Sequence, residues 1–112
     1  MVEQERRRTP RYSFVASAEV VADAADVRVA ASVSELSLHG CYLDMTNPFP
    51  LSTPISIKIS AANEVFQSKG RIIYLHPGIG AGVTFLDVAP QSRAILENWL
   101  DAAEQETLHS AN

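Results

Sequence analysis

One cysteine, Cys41, stands in the 112 residues. That excludes an internal disulfide and leaves no thiolate cluster for zinc. The three histidines, His39, His76 and His109, fall at no spacing suited to a metal ion, so no metal site is expected. Long apolar runs are missing as well: nothing approaches the ~18 consecutive residues of a membrane span. The arginines near the start have no apolar stretch behind them, so neither a secretory signal nor membrane insertion is expected. A reducing, cytoplasmic compartment fits these absences.

Positive charge is scarce and unevenly placed. Nine Lys and Arg face thirteen Asp and Glu, for a net charge of −4. Four of the nine crowd into positions 6–11, as Arg6, Arg7, Arg8 and Arg11, and the other five stand against all the acidic residues. A binder of long nucleic acid carries a basic face on its body, with aromatic and basic residues interleaved along a strand. Neither is present, and no nucleic acid polymer is expected as a partner. A local cationic cluster suits a small anionic ligand instead. Chemistry is scarce too: Ser37, His39 and Asp44 lie too close along one strand and turn to read as a triad, whose test is geometric. With no activated nucleophile and no acid–base pair, the chain reads as a binding module and not an enzyme.

What is present is a run of short β segments and one helix. Tyr12 to Ala22 reads as a strand, followed by a turn at Asp23–Asp26. Val27 to Leu36 is a second strand, in which Val27, Val29, Ala31 and Val33 alternate with small or polar residues. Cys41 to Met45 is a third, and Asn47-Pro48-Phe49-Pro50 a loop. Ile55, Ile57 and Ile59 alternate with Ser56, Lys58 and Ser60, the pattern of a half-buried strand. Val65 to Leu75 follows, with Gly70 marking a bend or close packing, and Ile79 to Leu86 closes the series. Pro90 suits a first helical turn, and Ile95, Leu96, Trp99, Leu100 and Ala103 then form one helical stripe. The expectation is a mainly β fold, a six-stranded antiparallel barrel with a C-terminal α-helix. Its parts are a mobile arm over residues 1–11, a barrel domain over 12–106 with the helix at about 90–104, and a frayed tail over 107–112.

Two segments carry the functional reading. Arginine presents a permanently charged planar fork that pairs bidentately with phosphate or with guanine O6 and N7, and its flat face stacks on a purine. Arg7 and Arg11, four apart, with Arg6 beside them, can enclose a compact phosphorylated ligand if the arm folds over the barrel. The second segment is Glu35-Leu36-Ser37-Leu38-His39-Gly40. Ser37 offers a donor and acceptor, Gly40 allows positive φ and close backbone approach, and Glu35 can accept from the N1–H and N2–H edge of guanine. The plainer reading is a strand–turn–strand link in which Ser37 bonds its own backbone.

Together the two segments resemble those of the PilZ domain, the bacterial receptor module for the second messenger cyclic di-GMP. Its first motif, Arg-x-x-x-Arg, is similar to Arg7-Arg8-Thr9-Pro10-Arg11; its second, Asp/Asn-x-Ser-x-x-Gly, is similar to Glu35 through Gly40 at the serine and the glycine. Gly40-Cys41-Tyr42-Leu43 and Gly80 through Asp87 look like the third and last strands of that family. The resemblance implies a split barrel whose arm closes over cyclic di-GMP, no further cofactor, and a protein partner that reads the change. It implies ligand-binding roles for Arg6, Arg7, Arg11, Glu35, Ser37 and Gly40. An arginine placed as Arg6 is goes with two stacked ligand molecules. Glu35 departs from the family's Asp or Asn, keeping the carboxylate but adding a methylene. The alternative implied is a PilZ-like adaptor that does not bind the nucleotide and works through protein–protein contact.

Overall fold

The computed structural model describes residues 9–110. Six strands follow one another: β1 (Tyr12–Ala22), β2 (Val27–Leu36), β3 (Gly40–Asp44), β4 (Pro54–Ala61), β5 (Glu64–His76) and β6 (Gly80–Leu86). One helix, α1 (Pro90–Ser110), comes after them. The strands close into an antiparallel barrel in the order β1-β2-β3-β6-β5-β4, with β4 returning to β1. The expected fold class is therefore the one observed. Closure leaves no free sheet edge in the barrel, which removes the template for edge-to-edge aggregation.

Alternation along the strands fills the interior. Ile55, Ile57 and Ile59 all point inward and are buried, as their spacing predicts. They meet Val20, Val33, Leu36, Leu43, Phe66, Ile72 and Val83, all of them in the buried core. A two-residue loop holds the register of β4 against β5. Ala61 pairs with Glu64, and the two residues between them, Ala62 and Asn63, have φ of 51° and 65°. That pair of positive φ values is the pattern of a type I′ hairpin turn, whose twist matches that of the strands.

α1 lies against β5 and β1. Pro90 opens it, where a missing N–H costs nothing, and the Ala89 carbonyl accepts the first helical bond from the Arg93 amide at 2.9 Å. Its stripe buries Leu96, Trp99 and Ala103, with Ile95 and Leu100 half-buried. The Trp99 ring stands 5.4 Å from Phe14 on β1 and 6.5 Å from Phe66 on β5. Ser92, buried on the first turn, accepts from the Gln67 amide at 3.3 Å and ties the helix to β5.

The structure corrects the expected end of the helix and decides between the two readings of Gly70. The helix runs to Ser110, past the expected end near 104 and through much of the expected frayed tail. Residues 104–106 are Glu, Gln and Glu, strong helix formers, and no Gly or Pro follows to stop the helix. Gly70 is not the site of a bend: a Cβ there would lie 2.8 Å from the Thr84 carbonyl oxygen, so it is a close-packing position. The irregularity of β5 falls three residues later, between Ile72 and Tyr74.

Three outcomes test this fold. Leu96→Ala should lower unfolding free energy by about 2–5 kcal/mol in denaturant titration, through loss of a fully buried contact between helix and barrel. Ala62→Gly should raise it by about 1 kcal/mol, because a side chain at positive φ is removed from an exposed turn. Burial pushes the Cys41 thiol from its ordinary 9.0 up to about 12. The folded thiol thus keeps a proton that the unfolded one releases, so stability should fall as pH rises from 9.0 towards about 12, and Cys41→Ala should flatten that fall.

Candidate functional site

The site begins with how β1 and β2 pair. Tyr12 faces Leu36 and Ser13 faces Glu35, which brings Arg11 alongside the turn that follows β2. Both strands carry bulges here, β1 between Ser13 and Ala16 and β2 between Val33 and Glu35. An extra residue in one strand reverses the phase of its side chains. Unbroken alternation from buried Val33 would have sent Glu35 inward and Leu36 outward. With the bulge, Leu36 is fully buried and Glu35 is exposed, opposite Tyr42 on β3.

Ser37 to Gly40 makes the turn into β3. The Ser37 amide donates to the Gly40 carbonyl at 2.9 Å. The Ser37 hydroxyl donates to that same carbonyl at 3.3 Å. It accepts from the amides of His39 and Gly40, at 3.3 and 3.2 Å. Ser37 is buried, so its hydroxyl is occupied by its own turn. Gly40 serves a different need from the one its sequence context suggests. Its φ is not in the left-handed region; a Cβ there would run into the Val83 carbonyl oxygen, so it is the approach of β3 to β6 that requires glycine. The His39 carbonyl accepts from the Phe85 amide at 2.8 Å and from the Thr84 hydroxyl at 3.4 Å, fastening the turn to β6.

Arg11, Glu35, Ser37 and Gly40 line one cleft of about 160 Å³. Four of the six residues singled out in the sequence are thereby brought together; Arg6 and Arg7 lie outside the described residues. The same lining includes Tyr42, Ile73, Tyr74 and Thr84, none of which belongs to the two motifs. A trace of two of them in the sequence is the run Ile72-Ile73-Tyr74-Leu75, four large side chains where an alternating strand offers every second one. The Tyr42 phenol is held above its ordinary range, first by loss of water and then by Asp44, Tyr74 and Glu35 nearby. It stays a protonated donor at neutral pH. Its Oη lies 2.9 Å from His76 Nδ1.

The cleft holds no nucleophile prepared for attack: the Cys41 thiol keeps its proton, and the Ser37 hydroxyl is bonded within its turn. Among the described residues no group of His, Cys, Asp and Glu could hold a metal ion, and no helix is long and apolar enough to cross a membrane. A wider depression of about 400 Å³ includes Glu19, Arg28, Lys58 and Lys69. Two of its cations are engaged in ion pairs, Arg28 with Glu19 at 3.1 Å and Lys69 with Asp23 at 3.4 Å.

The chain belongs to the PilZ domain family, whose pattern matches residues 5–102. No curated protein matches the sequence. Among solved structures it is similar to the PilZ domain of CeSA from a cellulose-synthesizing bacterium, at 23% identity and TM-score 0.67, over 84% of this chain and 97% of that one. It is also similar to the PilZ domain of YcgR from Escherichia coli, solved with c-di-GMP, at 19% identity and TM-score 0.74, over 95% and 97%. Longer YcgR from the same organism, also in complex with c-di-GMP, aligns at TM-score 0.79 and 19% identity; this chain covers 95% of itself and 49% of YcgR. At these identities the likeness is one of fold.

Two substitutions probe the turn. Gly40→Ala should destabilise the protein by about 1–3 kcal/mol, since backbone cannot move aside as a flexible side chain would. Ser37→Ala should cost about 1–3 kcal/mol by leaving two amides unpaired in a buried turn. Thermal or denaturant unfolding reads both, with no ligand needed.

Proposed function

We propose that the chain is a receptor for cyclic di-GMP, which it binds in the cleft between the start of β1, the Ser37–Gly40 turn and β6. The observation that carries this reading is the convergence of Arg11 with the distant segment Glu35–Gly40 on one cleft of the PilZ fold. The c-di-GMP in two structures of that fold supports the choice of ligand. A cleft of about 160 Å³ is smaller than the roughly 300–1,000 Å³ of sites that enclose a ligand. The cleft therefore takes part of the dinucleotide, and the arm covers the rest.

In this reading Arg7 and Arg11 grip phosphate and guanine, each with a bidentate fork. Four residues of extended chain reach at most about 14 Å, so an arginine four before Arg11 can serve the same ligand. Glu35 accepts from the guanine edge, and the Ser37–Gly40 turn forms the wall beneath. Arg6 would help to hold a second, stacked ligand molecule. Closure of residues 5–12 over the ligand alters the surface offered to a protein partner, an ordering switch without catalysis, suited to a cytoplasmic receptor.

A second reading has its own observation. The Ser37 hydroxyl is fully used inside its turn, and Glu35 is a methylene longer than the family's Asp or Asn. Both fit an adaptor that keeps the fold and works through protein contact alone. Calorimetric titration with cyclic di-GMP, beside GTP as control, decides between them. The receptor gives saturable heat, and Arg7→Ala and Arg11→Ala each weaken binding by roughly 10- to 100-fold, the worth of one charge-assisted hydrogen bond. Glu35→Asp should tighten it by a similar factor, by restoring the reach of the shorter carboxylate. Absence of heat at tens of micromolar ligand would leave the adaptor.

A further inference from the structure

Part of the cleft that Arg11 lines is aromatic, and its construction points outward. β5 slips register against β6 between Ile72 and Tyr74, so that both Ile73 and Tyr74 are exposed, at 51% and 36%. An unbroken strand would turn one of them into the barrel. On β6, Gly82 is in register with Tyr42 on β3 and with Tyr74 on β5. Strands two apart in a sheet are separated by about 9.6 Å, too far for ordinary ring contact. Here the strand between has no side chain. The Tyr42 and Tyr74 rings close over it to 6.2 Å, with 29° between their planes. A Cβ at Gly82 would collide with the Tyr74 ring. His76, in register with Gly80, adds a third ring 5.7 Å from Tyr42 and 5.5 Å from Tyr74.

Covering a glycine is reason enough for one aromatic neighbour. It does not account for a bulge that brings two apolar side chains into water at the mouth of a cleft. Bulges beside binding sites re-aim side chains, and this one brings Tyr74 onto the cleft that Arg11 also lines. We propose that Tyr74, braced by Tyr42 and His76, is a stacking surface for a nucleotide base, a binding residue that neither arginine nor turn motif includes. It rests on the cyclic di-GMP reading. The base lies with one face on the Tyr74 ring and an arginine towards the other, while Glu35 addresses its edge. Stacking recognises any base; the edge contact supplies the choice of guanine.

The test titrates the parent chain, Tyr74→Phe and Tyr74→Leu with cyclic di-GMP at several salt concentrations. Leu keeps an apolar cover over Gly82, and its thermal midpoint checks that the fold survives. Loss of a base–ring stack should weaken the Leu variant by about 5- to 150-fold, while Phe stays within about twofold of the parent. The slope of log affinity against log salt should match the parent in the Leu variant, since no charge is lost, and become shallower in Arg11→Ala. If the parent binds and Tyr74→Leu binds equally well, the stacking surface is overturned and the receptor reading stands. If the parent does not bind, the receptor reading fails and the stacking surface falls with it.

Discussion

Backbone contact between β3 and β6 is the constraint on which the site depends. These strands are far apart in sequence, yet they pair in register from Gly40 against Thr84 to Asp44 against Gly80. At Gly40 the approach is so close that no side chain fits before the Val83 carbonyl. That closeness fixes the Ser37–Gly40 turn, in which the amides of His39 and Gly40 donate to the Ser37 hydroxyl. It also fixes the His39 carbonyl on the Phe85 amide. A turn that holds the amides of Ser37, His39 and Gly40 internally is well braced, which suits it to form a wall.

Around this seam the bulges do the positioning. A regular barrel would give each strand one inward and one outward face, with the cleft wall made of whatever fell outward. The slip in β2 lifts Glu35 out of the interior while keeping Leu36 in it. The slip in β5 does the same for Tyr74 while keeping Ile72 buried. Each loses a ladder hydrogen bond and leaves a residue unpaired. The gain is that polar and aromatic side chains leave the core without taking core residues with them. Both slips open onto the same cleft.

Much of the scaffold was legible in the sequence because period-2 burial is a strong signal. β1 and β2 have the expected bounds, and the Ile55-Ile57-Ile59 series is core as its spacing requires. The helical stripe was legible for the same reason. Its length was not, because residues after 104 carry no burial pattern and helix propensity alone decided the end. The site was legible only on the side that motifs mark. Arg11, Glu35, Ser37 and Gly40 share a cleft as expected, but the role of Gly40 was misread, since a close approach between distant strands leaves no local trace. No site role was read for Tyr42 or Tyr74. They lie 32 positions apart in number, and their contact exists only because Gly82 of a third strand lies between them.

The charge distribution limits how the cleft can work. Apart from the cluster at 6–11, the chain is strongly acidic, so its far field repels an anionic ligand. At physiological ionic strength that field decays over about 8 Å, and only charges closer than this to the ligand matter. Within the cleft Glu35 is itself negative, and Arg11 is the cation that lines it. A doubly negative nucleotide cannot be held there by one guanidinium balanced by one carboxylate. Either further arginines arrive from the segment before Arg11, or affinity comes from uncharged contact with the rings. Since the Ser37 hydroxyl is already engaged, the turn contributes shape more than bonding. In the proposed receptor, recognition would divide into three: cations from the arginines at 6–11, an edge acceptor from Glu35 on β2, and a flat face from Tyr74 on β5 beside Gly82 of β6. The last two belong to the barrel itself, whose slips in β2 and β5 place them on one cleft.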